Sequence, residues 1–129
     1  MWSGSHITEK LSEVGKAIVG FQYAERIKSE LIIPAKMLDR LAELSGDELN
    51  GACKLYLFFL TALEGEINIA LNVLGMNEFE TAAEKVRAAM DKAQLNQYDE
   101  CMKLISEAIS HIASTGQWSM QILKDHNLL

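Results

Sequence analysis

A chain of 129 residues, 49% of them apolar beside eight glycines, is long enough to bury one core without disulfides or metal, which sets aside a multidomain or disulfide-scaffold protein. Its net charge of −6, from 18 acidic and 12 basic residues with no Lys/Arg run, opposes phosphate backbones and anionic lipid, so neither nucleic acid nor membrane is expected as a partner. Cys53 and Cys101 form no CxxC and read as reduced, partly buried thiols of a cytoplasmic protein.

Residues 1–6, Met-Trp-Ser-Gly-Ser-His, have neither the charged nor the apolar region of a signal peptide. They read as a vector-derived or disordered tail, leaving 7–129 as a single helical domain. One proline in the whole chain, among many Ala, Leu, Glu and Lys, argues for an all-α protein. Ile7, Leu11, Val14, Ile18 and Phe21 follow a 4-3-4-3 spacing that predicts a helix over 7–32, with Ala24, Ile27 and Leu31 continuing the stripe. Gly20 and Ala24 would let another backbone approach closely. Pro34 is expected to end this helix and open a second over 34–45, with Met37, Leu38, Leu41 and Leu44 inward. Ser45 and Glu48 have the spacing of a capping box, and Gly46 suits a helix C-terminus.

The third predicted helix, 47–74, is the most apolar. Its polar positions Asn50, Lys54, Thr61, Glu64, Asn68 and Asn72 fall on one arc, so it is expected at the centre of the bundle, wrapped by neighbours. Its longest apolar run, Leu55 to Leu63, is far short of the ~20 residues of a membrane span. Gly75 suits a left-handed C-terminus, and Asn77 would cap a fourth helix over 78–94 with Phe79, Ala82, Ala83, Val86, Met90 and Ala93 inward. The fifth, 97–126, keeps its stripe in phase through Gly116 to Leu123, so Gly116 is expected to pack closely rather than break it. The fold expected is an antiparallel bundle of about five helices with 47–74 innermost.

Glu66 is the carboxylate out of place, lying opposite the polar arc among apolar positions. Desolvation there calls for a Lys or Arg partner or a subunit boundary, or else marks a functional acid. Glu107 and His111 are four apart and can meet, with Trp118 two turns further along the same side. Leu104, Trp118 and Ile122 form a second apolar stripe beside the core face, and with Glu107 and His111 as its rim it has the composition of an interface. No phosphate loop, hydrolase elbow, zinc or calcium motif occurs, and no cofactor is expected.

These features point to a non-catalytic helical interaction protein that forms a homo-oligomer, a dimer first, through the Trp118 edge, and binds a protein partner. The rival is a small helical enzyme or metal-binding bundle using Glu66 with His111, Glu25, Glu80 or Glu84, which would have to converge on one pocket.

Overall fold

The computed structural model describes residues 12–129, so the expected tail and the helix start at residue 7 lie outside the described residues. Four helices follow in order: α1 Glu13–Leu41, α2 Gly46–Leu74, α3 Asn77–Gln94 and α4 Tyr98–Asp125. Each packs on its sequence neighbours, and α1 also packs on α4, which closes an up-down-up-down ring. The all-α bundle is therefore as expected, but among the described residues there are four helices, not five.

The correction lies at Pro34, which sits inside α1 instead of dividing it. The buried residues of α1 are Ala17, Gly20, Ala24, Ile27, Leu31, Pro34, Leu38 and Leu41, an unbroken 3-4 alternation that passes through the proline in phase. A mid-helix proline costs roughly 3 kcal/mol. Its ring is fully buried here, and its carbonyl accepts the Tyr56 hydroxyl of α2 at 2.8 Å. Burial on both sides of it keeps the helix whole. Ser12 caps α1 by accepting the Gly15 N–H at 2.9 Å, and Glu13 and Arg40 suit the dipole at its two ends.

The same pattern corrects the expected core face of α1. Ile18 is exposed, while the small residues Ala17, Gly20 and Ala24 face inward. They allow the close approach read from the sequence: a Cβ on Gly20 would meet Ser119 Oγ at 3.0 Å, and one on Gly116 would meet the Ala24 Cβ at 3.7 Å. As expected, α4 runs straight through Gly116.

At the α1–α2 turn, Ser45 occupies the N-cap but its side chain makes no capping hydrogen bond, and Gly46, at φ +60°, begins α2 rather than ending α1. Gly75 is left-handed, at φ 65°, and its N–H donates to the Leu71 carbonyl, as its place after α2 requires. Met76, not Asn77, holds the N-cap of α3.

α2 is not innermost. Its buried side chains, Tyr56, Leu60, Leu63, Ile67, Ala70 and Leu74, make a single 4-3-4-3-4 stripe toward α1 and α3. The core it shares includes Ile27 and Leu31 of α1, Phe79 and Val86 of α3, and Ile105 and Ile112 of α4. Its opposite side faces out. By length and composition α2 could cross a membrane, because it carries apolar residues on both sides rather than one.

Candidate functional site

The outward side of α2 repeats the heptad a second time. Gly51, Leu55, Phe58, Ala62, Gly65 and Ile69 follow a 4-3-4-3-4 spacing and all are exposed. Leu55 is 68%, Phe58 72% and Ile69 54% accessible, more than a scatter of lone surface hydrophobics. Gly51 and Gly65 stand in the helix interior, where glycine costs about 1 kcal/mol relative to alanine. A Cβ on either would meet nothing within 4 Å, so packing among the described residues gives no reason for glycine at these two positions.

One flank of this face is charged. Glu66 lies beside Arg26 and Glu30 of α1, with Arg26 Nη2 3.7 Å from Glu66 Oε1 and Arg26 Nε 3.4 Å from Glu30 Oε1. The Arg26 guanidinium also lies over the Tyr23 ring, 5.4 Å from its centroid. Among the described residues Glu30 Oε1 and Glu66 Oε2 are closed to solvent and have no hydrogen-bond donor, which a protonated Glu30 facing Glu66 would supply. Burial, and then the hydrogen bond and charge of Glu66, push the Glu30 acid up to about 7 against the pull of Arg26. On the other flank Glu64 pairs with Arg87 of α3, and Thr61 donates to the Leu57 carbonyl at 2.8 Å.

The remaining residues singled out in the sequence lie on α4. Glu107 and His111 do not pair with each other: each reaches α3, Glu107 to Lys85 at 3.4 Å and His111 Nδ1 to Glu78 at 2.7 Å. Glu78 is in the first turn of α3, so Trp118 and Ile122, further along α4, lie past the start of that helix. Both are half-buried, as is Leu104, which packs on the core. Glu66, Glu25 and His111 take separate partners, namely Arg26, Lys28 and Glu78. Among the described residues, no three His, Cys, Asp or Glu side chains lie close enough to hold one metal ion.

Two further features are structural. An open groove of about 540 Å³ runs between α1 and α4, bordered by Phe21, Lys28, Met120 and Lys124. Cys53 and Cys101 are free thiols; burial pushes Cys101 up to about 11, with the Tyr56 hydroxyl pulling the other way. A thiol so shifted is a poor nucleophile.

Sequence reasoning missed the outward stripe and Glu30. The stripe was legible as a second heptad series on α2, and Glu30 as the partner four residues after Arg26. No protein-family model, curated protein or solved structure matches the chain.

Proposed function

We propose that this chain is a non-catalytic interaction protein of the cytoplasm, which associates with a copy of itself and also binds a protein partner. The observation that supports this most is the second heptad stripe of α2, with Leu55, Phe58 and Ile69 each more than half accessible on one face. A surface of that kind is a cost in a solitary domain and an asset in an assembly. The Leu104–Trp118–Ile122 edge, beside Glu107 and His111, which the sequence offered as the dimer surface, we assign instead to the protein partner, since at Trp118 and Ile122 α4 runs past the start of α3. Sedimentation velocity across a concentration series tests the reading: the expected result is a dimer at tens of micromolar. A strictly monomeric chain at all concentrations overturns self-association.

The alternative, a bundle enzyme or metal-binding protein built on Glu66, has one feature in its favour, the neighbouring carboxyls of Glu30 and Glu66 beside Arg26. Stoichiometric metal in the purified protein that disappears in Glu66→Gln would establish it.

A further inference from the structure

The outward stripe of α2 is complementary to itself. Reversing it about residue 60 lays position 51 on 69, 55 on 65 and 58 on 62, so that every layer sets a large residue against a small one. Leu55 meets Gly65, Phe58 meets Ala62, and Ile69 meets Gly51. We propose that α2 pairs with the α2 of a second copy, antiparallel, about a twofold axis that meets the outward face at the level of residue 60, between Phe58 and Ala62. This deepens the association reading and rests on it.

Three observations converge on that occupant. The first is the pair of glycines. Both lie on the stripe, neither is required by packing among the described residues, and each falls opposite a bulky aliphatic side chain that needs the space. Missing Cβ atoms at these layers let the two backbones approach at the short end of helix–helix distances.

The second is register. A parallel pair would stack Phe58 on Phe58 and Gly65 on Gly65, leaving a bulge and then a void. The neighbouring antiparallel register sets Phe58 against Ile69 and Ala62 against Gly65, with Leu55 against Asn72. Only the register about residue 60 alternates large with small throughout. On its flanks Lys54 faces Asn68 and Thr61 faces its own copy, while Ala52 lies by Glu66 and Phe59 faces its own copy. Neither flank sets like charges against each other.

The third is area. Ile33 shares the face of α1 that carries Arg26 and Glu30, and so borders the stripe. The accessible parts of Leu55, Phe58, Ile69 and Ile33 come to roughly 500 Å² per copy, so a symmetric pair closes on the order of 1,000 Å², the lower bound for a specific interface.

The test uses the full chain with Cys53→Ala. Leu55→Cys mixed with Gly65→Cys should give a disulfide-linked pair on mild oxidation, and neither variant alone should do so. Gly65→Ala should weaken dimerisation roughly tenfold or more while raising the thermal midpoint of the diluted monomer, a combination that damage to the fold cannot produce. Phe58→Glu should abolish the dimer and leave the helical content unchanged. If the wild type dimerises but Leu55→Cys links to itself, or Gly65→Ala and Phe58→Glu leave the dimer intact, the pairing is wrong and the association reading survives. A wild type that is monomeric throughout overturns both. Wild-type monomer that co-sediments with phosphatidylcholine vesicles, and loses this in Phe58→Glu, makes a lipid surface the occupant and also overturns the pairing.

Discussion

Glu30 and Glu66 meet because α1 and α2 each place a carboxylate on the one line where the helices touch beside Arg26. With the Glu30 acid raised from 4.5 to about 7, the folded chain holds more protons than the unfolded one between those values. Stability is then greatest below pH 4.5 as far as this group is concerned, and its contribution is lost as pH rises through 7. Glu30→Gln should remove that slope and stabilise the protein at pH 8 by on the order of 1 kcal/mol, after allowance for solvent at the pair. Urea midpoints at pH 5.5 and pH 8, compared between wild type and variant, check it. Thr115 and Ser119 pose a different cost, since both hydroxyls are buried without a hydrogen bond where α4 meets Gly20. Thr115→Val keeps the shape and removes the unsatisfied group, so it should stabilise the fold by about 1 kcal/mol in chemical denaturation.

At the scale of elements, the Tyr56 hydroxyl is the tie between the two longest helices. Burial raises its pKa above the ordinary phenol value, so it stays protonated and donates to the Pro34 carbonyl at 2.8 Å. Tyr56→Phe removes a buried hydrogen bond from a carbonyl that the Leu38 N–H still pairs within α1, and should destabilise the protein by about 1 kcal/mol, read from the denaturant midpoint at unchanged m-value. The same region shows what the sequence could and could not tell. Helix type, the ends near 74, 94 and 126, and the close approach at Gly20, Ala24 and Gly116 were all legible, because periodicity and small residues record them directly. The break at Pro34 was not real: a proline's local penalty is visible in sequence, but the Tyr56 partner and the burial that outweigh it are tertiary. The central place given to α2 failed for a related reason. A helix with two antipodal apolar stripes, Tyr56 to Leu74 and Gly51 to Ile69, reads as surrounded, though among the described residues only the first stripe is covered. Glu66 was recognised as out of place, with a Lys or Arg partner or a subunit boundary expected beside it; the spacing of Glu30 from Arg26 was legible, but not that Glu30 would meet Glu66, because a single chain pass cannot show which helix face will cross another.

For the molecule as a whole, the order of the ring matters more than any one contact. Three of its four helix interfaces join sequence neighbours and cost little to close, whereas the fourth brings Ala24 to Gly116 across most of the chain. At its outer end that seam sets Gly20 and Ala24 against Thr115, Gly116 and Ser119, small residues that pack closely and are therefore poor in apolar area. The end of the long-range closure is thus its least apolar part, while the bulky Ile27 and Leu31 of α1 and Ile105 and Ile112 of α4 lie further into the bundle. The first turns of α1 and the last of α4 should lift apart as a local opening, with the α2–α3 hairpin still folded. Hydrogen exchange followed by mass spectrometry should find amides of Val14–Ala24 and Thr115–Leu123 exchanging well ahead of those of Leu60–Ala70, and uniform protection across all four helices would show instead that the ring opens only by global unfolding.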